Sequence, residues 1–220
     1  MEKKKRVGKI VTLLKKRYPD AKCSLTYRSP LDLLIATVLS AQCTDVRVNL
    51  VTPALFKAYP TAQTMATAPV TRLETLVKTT GFFRNKAKNI QGAARLITQN
   101  FDGQVPDTMD QLLTLPGVAR KTANVVLGNA FGKNVGVVVD THVGRLAVRL
   151  NLTQADAKNA VQVERDLIAL FPTKHWTLLS HLFIAHGRAA CKARNPQCDT
   201  CPLKRMCAVG RASSSLDQRI

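Results

Sequence analysis

Four cysteines near the carboxyl end of the chain have the number and spacing of a metal site. They follow the pattern C-x6-C-x2-C-x5-C and are Cys191, Cys198, Cys201 and Cys207. So many thiols on a short Pro-containing stretch indicate one metal site, but the spacing alone does not choose the metal. Structural zinc usually takes two short C-x2–4-C pairs, of which only one is present here, and ferredoxin spacings also differ. Cys23 and Cys43 lie outside the pattern and are predicted to be buried thiols.

A second candidate site is the stretch LPGVARKTA, from Leu115 to Ala123. A helix that ends at Leu113 meets a Pro-Gly turn, and a new helix then runs to about Ala130. So tight a turn exposes backbone N–H groups at the positive end of the second helix, and both features suit a phosphate. An ordinary helical corner that binds nothing is the alternative, and the net charge of the chain disfavours it.

The composition favours a polyanionic partner. Lys and Arg outnumber Asp and Glu by 33 to 14, which gives a formal net charge of +19. The basic residues recur along the chain instead of forming a tail, so nucleic acid is the leading candidate and a generic basic surface is the alternative. No secretory signal and no apolar run near the ~20 residues needed to cross a bilayer is visible. We therefore expect an intracellular, soluble protein whose thiols are ligands or buried groups, not disulfides.

Helical periodicity over most of the chain predicts an all-α fold. Ser29-Pro30 is typical of an N-cap and first helical position, and Thr108 to Gln111 fits a capping box. Further helices are predicted over residues 7–18, 31–39, 86–97, 160–170 and 177–185. In the 86–97 helix, one face is apolar and the other carries the basic side chains of Lys86, Lys88 and Arg95. The β-branched run Val135–Val139 is too short to build a sheet, so we interpret it as an extended connector.

Several of these segments together resemble the endonuclease III family of DNA glycosylases. The similar stretches are SPLDLLIATVLSAQCTD, GFFRNKAKNI, LPGVARKTANVV, VVVDTHVGR and the four terminal cysteines, which cover most of residues 29–207. The resemblance implies two helical lobes that flank a DNA-binding cleft. Residues 24–134 would form a helical barrel domain that ends in the helix-hairpin-helix. Residues 1–23 and 135–212 would form a discontinuous iron–sulfur cluster domain, and residues 213–220 a flexible tail.

The resemblance assigns catalysis to Lys121 and Asp140, which would face each other across the cleft. A primary amine can attack the sugar C1′, expel a damaged base and form an imine, after which β-elimination cuts the strand. Arg120 cannot do this because it never loses its proton. We expect Lys121 to be partly buried, which would favour its neutral form. Asp140 would stabilise the cationic sugar, and the alternative role of a helix N-cap is compatible with this one.

The resemblance also implies the cofactor and the DNA contacts. In the family the four terminal cysteines hold a [4Fe–4S] cluster. Basic residues such as Lys192 and Arg194 lie among the ligands and would bind phosphates, so we interpret the cluster as structural. In the hairpin the contacts would be Gly117 and Ala119. Ala119 stands where many members of the family carry glycine, which is tolerable if its φ is negative. Two further contacts are less specific: Gln42 would fill the gap left by the extruded base, and Phe82 would wedge the opposite strand. Their alternatives are a polar loop residue and core packing.

These features together predict a bifunctional DNA glycosylase and abasic-site lyase of base excision repair. Its substrates would be oxidised pyrimidines and abasic sites in duplex DNA, and it would act as a monomer at the nucleoid or in the cytoplasm. One alternative is a monofunctional glycosylase in which Lys121 only binds phosphate. The other is a non-catalytic iron–sulfur module that binds DNA and senses redox state. The presence of Lys121 together with Asp140 disfavours both.

Overall fold

The computed structural model of the chain describes residues 2–211, with side chains from Lys5 onward. Over that range it contains no strand, which confirms the predicted all-α fold. Its α-helices are α1 (Glu2–Arg17), α2 (Pro30–Leu39), α3 (Asp45–Ala58), α4 (Ala62–Ala66), α5 (Val70–Val77), α6 (Phe83–Asn100), α7 (Met109–Leu113), α8 (Arg120–Ala130), α9 (Thr141–Arg149), α10 (Ala160–Leu170) and α11 (Trp176–Ala189). The predicted tail, 213–220, lies outside the described residues. None of the described helices combines the length and the apolar character that crossing a membrane requires.

Two compact units divide the chain. One is Cys23–Lys133, and the other combines the residues up to Lys22 with those from Asn134 onward. Each unit buries an apolar core of its own. The assignment of residues 24–134 to a barrel domain, and of 1–23 and 135–212 to a cluster domain, stays a prediction.

The unit Cys23–Lys133 is organised around two helices. Every residue of α2 from Asp32 to Leu39 is buried, so this helix is apolar on all sides and forms the centre of the core. The longer α6 packs against α2, α4 and α5, while α8 packs against α2 and α7. The 3-10 helix Lys78–Thr80 joins α5 to α6 and packs against α3.

The second unit joins the two ends of the described chain through its core. Ile10 and Leu14 on α1 are fully buried, and α1 packs against α10 and α11. The α9 helix also packs against α10 and α11. Phe183 on α11 meets Phe171 edge to face, with the ring centroids 6.5 Å apart. Such aromatic pairs contribute beyond the area they bury.

Two of the local predictions are confirmed in detail. The hydroxyl of Ser29 accepts the backbone N–H of Asp32 at 3.1 Å, and Pro30 opens α2 as predicted. The run Val135–Val139 is an extended connector without strand pairing. The backbone N–H of Val138 donates to the Ser180 hydroxyl at 2.9 Å, which ties the connector to α11.

Two other local predictions need correction. The Thr108 hydroxyl accepts the amide of Gln111 at 3.4 Å, but the Gln111 side chain accepts from that hydroxyl instead of from the Thr108 amide. The capping box is therefore only half formed. The placement of Lys86 on an exposed basic face is wrong, since Lys86 is only 5% exposed. Periodicity alone misplaced it because the residues that cover it come from outside α6.

Candidate active site and iron–sulfur loop

The predicted hairpin is present between α7 and α8. The amide of Val118 donates to the carbonyl of Leu115 at 3.1 Å, which closes a four-residue turn with Pro116 and Gly117 at its centre. Gly117 has a φ of +76°, a conformation that L side chains rarely adopt. Pro followed by a residue of positive φ is the arrangement of a type II turn, so this Pro-Gly sequence suits the turn that it forms.

The hairpin is seated on α6. A Cβ atom added to Gly117 would lie 3.0 Å from both Cβ and Nδ2 of Asn89, and one added to Gly92 would lie 3.2 Å from Cγ of Pro116. Asn89 and Gly92 of α6 thus lie so close to the turn that neither glycine of these two contacts leaves ordinary van der Waals space for a Cβ atom. The position of the turn is therefore set by α6 as well as by the two helices that it joins.

The start of α8 presents Lys121. Ala119 is the N-cap residue with a φ of −101°, so its conformation is open to any residue and the predicted tolerance of alanine is confirmed. Ala119 has no side-chain oxygen to cap the amides of the first turn, which leaves that role to other acceptors such as a phosphate. The side chain of Lys121 is exposed. The expected partial burial of Lys121 is thus wrong for the free protein.

Asp140 is the N-cap of α9 in the second unit. Its Oδ1 accepts the backbone N–H groups of His142 at 2.8 Å and Val143 at 2.9 Å, so the predicted cap is present. Neither bond uses Oδ2, and no other side chain among the described residues of this unit donates to it. The carboxylate is held by one oxygen while the second can face a reacting group, which makes the cap and a catalytic role compatible.

Arg145, which the sequence analysis did not single out, links α9 to the cysteine loop. Its Nε donates to the carbonyl of Cys191 at 3.0 Å, and its Nη2 donates to the carbonyl of Gly187 at 3.1 Å. Nη2 also lies 2.9 Å from Nδ1 of His142. Because a guanidinium can only donate, Nδ1 is the acceptor and the neutral ring carries its proton on Nε2. A Cβ on Gly187 would lie 2.8 Å from His142, so this contact needs glycine.

The four predicted ligands line one small cavity, together with Arg149 and residues of the loop after α11. Yet among the described residues no three side chains of His, Cys, Asp or Glu converge as the ligands of a single ion would. Tetrahedral zinc would bring its sulfurs to roughly 3.8 Å from one another, since each Zn–S bond is about 2.3 Å. A four-iron cluster holds its thiolates farther apart by its own width. Cys191, Cys198, Cys201 and Cys207 thus line one pocket without converging as the ligands of a single zinc ion would.

Polar groups around the cavity suit sulfur ligands that carry negative charge. Nη1 of Arg149 donates to Sγ of Cys191 at 3.2 Å, and its two terminal nitrogens also donate to the carbonyls of Lys192 and Ala193 at 2.8 and 2.9 Å. Burial, followed by the nearby cysteines, raises the pKa of Cys201 in the free protein. The raised pKa opposes formation of the thiolate. Binding of a metal removes this opposition because the thiolate charge is then neutralised.

His186 lies between the cavity and α1. Its Nε2 is 3.4 Å from Sγ of Cys201, and its Nδ1 is 2.9 Å from the hydroxyl of Tyr18. Burial, assisted by the charge of Arg17, lowers the pKa of His186 to about 4. The ring is therefore neutral, so its Nε2–H can donate a hydrogen bond to the sulfur while its Nδ1 accepts one from the Tyr18 hydroxyl.

The predicted DNA contacts are distributed over both units. Gln42 and Phe82 belong to the unit that carries Lys121, and both have left-handed backbones, with φ of 54° and 45°. Gln42 is exposed, and the Phe82 side chain is 69% exposed, so Phe82 is not a core residue. Lys192 and Arg194 are exposed in the unit that carries Asp140 and the cysteines. Lys204, by contrast, pairs with Asp199 at 2.9 Å.

Comparison with known proteins gives two family matches. Residues 35–173 match the HhH-GPD superfamily of base excision DNA repair proteins, and residues 191–207 match the iron–sulfur binding domain of endonuclease III. The second match covers the cavity described above, from its first cysteine to its last. The predicted iron–sulfur cofactor is therefore confirmed.

Relatives extend the similarity over nearly the whole chain. The endonuclease III of Synechocystis sp. is 56% identical over 211 residues, which cover 96% of this chain and 95% of that protein. The endonuclease III of Escherichia coli is 40% identical over 94% of this chain and 96% of its own length. A solved structure of a trapped endonuclease III–DNA covalent intermediate is 42% identical, with a TM-score of 0.89 over 96% of this chain and 98% of that one. The chain belongs to the endonuclease III family, within the HhH-GPD superfamily of base excision DNA repair proteins.

Proposed function

We propose that this chain is a bifunctional glycosylase and lyase that removes oxidised pyrimidines from duplex DNA, with Lys121 as its nucleophile. The observation that supports this assignment is the exposed amine of Lys121 in the first turn of α8, next to the Gly117 turn. A hairpin that binds the phosphate backbone would hold the sugar within reach of that amine. Arg120 stands beside it but has no lone pair to offer.

The reaction proceeds in steps that balance. The neutral amine of Lys121 forms a bond to C1′, the bond from C1′ to the base breaks, and the departing base takes up a proton. The sugar ring then opens, and the nitrogen becomes an imine. The imine acidifies the C2′ proton, whose loss expels the 3′ phosphate and cuts the strand. Water hydrolyses the imine and returns the amine.

Asp140 stabilises the positive charge that develops on the sugar while the bond to the base breaks. A carboxylate fixed through Oδ1 costs no reorganisation at that moment, and its remaining oxygen can also move protons between the amine and the sugar oxygen. The same carboxylate keeps α9 capped. Replacement by asparagine therefore separates the two roles, because the amide oxygen can still accept from His142 and Val143.

The remaining contacts position the duplex. Gly117 and Ala119 offer backbone groups to the phosphates, while Lys192 and Arg194 add positive charge from the loop that the cysteines hold. Gln42 fills the gap behind the extruded base, and Phe82 enters the opposite strand. The [4Fe–4S] cluster, bound by Cys191, Cys198, Cys201 and Cys207, supplies a structural centre for that loop. We also propose that the protein acts on the duplex as a monomer, in the cytoplasm or at the nucleoid.

The deciding experiment is borohydride trapping with Lys121→Arg and Lys121→Gln. Wild type should become cross-linked to lesion DNA, because borohydride reduces the imine to a stable amine. Lys121→Arg keeps the positive charge but has no nucleophilic nitrogen, so it should lose cross-linking and nicking while it still binds DNA. If Lys121→Arg cross-links and nicks, Lys121 is not the nucleophile. If wild type binds DNA but neither cross-links nor excises, the protein is the non-catalytic module. If it excises the base without cross-linking or nicking, it is the monofunctional glycosylase.

Asp140→Asn is the companion variant. We expect base excision to fall by about 10²-fold or more, the range for loss of one positioned electrostatic group, while unfolding free energy and DNA affinity stay near those of wild type. The measurement is single-turnover excision, together with a denaturant titration. Unchanged excision would reduce Asp140 to a helix cap.

A further inference from the structure

Lys86 is a buried cation at an unfavourable place. It is 5% exposed and lies in the first turn of α6, where the positive end of the helix repels an ammonium group. Burial lowers its pKa, and the nearby thiol of Cys43 acts in the opposite direction. An apolar side chain would cost less at such a position if packing were its only role. The role of Lys86 is therefore to be sought in what its charged end contacts.

One contact of Lys86 holds the turn that carries Phe82. Its Nζ donates to the carbonyl of Thr80 at 2.6 Å. Thr80 is itself buried, and its hydroxyl donates to the carbonyl of Val77 at 2.8 Å. The next two residues, Gly81 and Phe82, both have positive φ, 72° and 45°. The ammonium of Lys86 thus fixes the backbone at Thr80, immediately before the chain enters the turn formed by Gly81 and Phe82.

The 3-10 helix that accepts from Lys86 is also joined, through α3, to the turn that carries Gln42. The amide of Cys43 donates to the carbonyl of Ser40 at 3.1 Å, which closes a turn with Gln42 in its left-handed conformation. Cys43 packs against the core of the unit. The helix that follows this turn, α3, packs against the 3-10 helix Lys78–Thr80. Both turns are therefore joined to the 3-10 helix Lys78–Thr80, whose last carbonyl accepts from Lys86.

We propose that Lys86 is a positioning residue that holds the Gln42 and Phe82 turns in a fixed arrangement, so that both side chains enter the duplex together. This inference rests on the proposed roles of those two residues. Left-handed conformations of non-glycine residues are costly and persist only where the surroundings enforce them. Without the ammonium, the turns relax toward ordinary conformations, and each extrusion of a base must first restore them. Lys86 acts through these turns and does not touch the reacting atoms.

The test compares Lys86→Met with wild type on two DNA substrates. The first is a duplex with an oxidised pyrimidine and 2-aminopurine next to it, whose fluorescence rises when the base stack opens. The second carries the same lesion in an unpaired bubble, which needs neither extrusion nor gap filling. Lys88→Met is the matched control, because Lys88 is exposed two residues away and its loss removes the same charge.

We expect Lys86→Met to slow the fluorescence rise and imine trapping on the duplex by roughly 5- to 30-fold, the factor equivalent to relaxation of one left-handed residue. Trapping on the bubble should stay within about twofold of wild type. Lys88→Met should affect both substrates equally. In a Phe82→Ala background, the Lys86→Met change should have a smaller effect, since the two residues act through one turn.

Outcomes that overturn the proposal are distinct from those that overturn the proposed function. Equal loss on the duplex and the bubble, or no loss on either, rules out a positioning role for Lys86. Lys86→Gln, which keeps an N–H donor but has a shorter reach, is measured in parallel and should show the same difference between substrates at smaller size. If Lys86→Met does not fold, absence of that difference in Lys86→Gln overturns the proposal. Failure of wild type to trap on either substrate contradicts the proposed function instead.

Discussion

Gly117→Ala tests whether the hairpin is held in place by its approach to α6. Two separate costs are expected. The left-handed conformation of residue 117 costs an alanine about 1–2 kcal/mol. The new Cβ would also lie 3.0 Å from two atoms of Asn89, closer than most real Cβ contacts, and such overpacking costs about 1–3 kcal/mol. Together they amount to about 2–5 kcal/mol.

Gly103→Ala is a matched control for the conformational part. Gly103 has a φ of +74° in the same unit, but a Cβ added there would meet nothing within 4 Å. It should lose about 1–2 kcal/mol of unfolding free energy and keep DNA binding and cleavage. The difference between the two variants then isolates the contact between residue 117 and Asn89.

Two measurements decide the outcome: unfolding by denaturant, and binding to an abasic-site duplex at fixed salt. If the turn moves away from α6 to relieve the contact, the cost appears in DNA affinity as a loss of about 5- to 150-fold, equivalent to about 1–3 kcal/mol. Should Gly117→Ala match Gly103→Ala in stability and also keep wild-type affinity, then α6 does not hold the hairpin and the hairpin does not position the DNA.

Three further predictions concern the charge, the cluster and the stability of the protein. Affinity for undamaged DNA should fall steeply with salt, at a slope of about 0.9 per phosphate neutralised, and a flat response would contradict electrostatic binding. The purified protein should be yellow-brown and contain iron and sulfide, and Cys198→Ser should lose cluster and solubility together, whereas stoichiometric zinc in a colourless, active protein would overturn the assignment. Burial lowers the pKa of His181 from 6.5. Below pH 6.5 the unfolded chain therefore takes up a proton at His181 more readily than the folded protein, so the stability that the neutral ring supports is complete above pH 6.5 and falls as the pH drops below it. His181→Gln should therefore lose less unfolding free energy than wild type between about pH 7.5 and about pH 5, and equal losses would show that His181 does not contribute.

Local features of the chain could be predicted because neighbours in sequence decide them. Ser29 caps α2 through an amide three residues away, and the Pro116-Gly117 turn closes within four residues. The extended run Val135–Val139 also follows from short-range sterics. The metal site was visible for the same reason, since its four thiols lie on one short stretch. Their spacing left the metal open, and the resemblance to a known family selected it.

Contacts between distant residues were decided only by the tertiary structure. Arg145 and Arg149 reach the loop that begins at Cys191, more than forty positions away, and nothing in their own segment distinguishes them from other basic residues. Lys86 was misplaced for a related reason: helical periodicity identifies the face of a helix but not what covers that face. Its ammonium donates to the carbonyl of Thr80, which lies outside α6. The left-handed backbones of Gln42 and Phe82 likewise persist because packing enforces conformations that their own side chains disfavour.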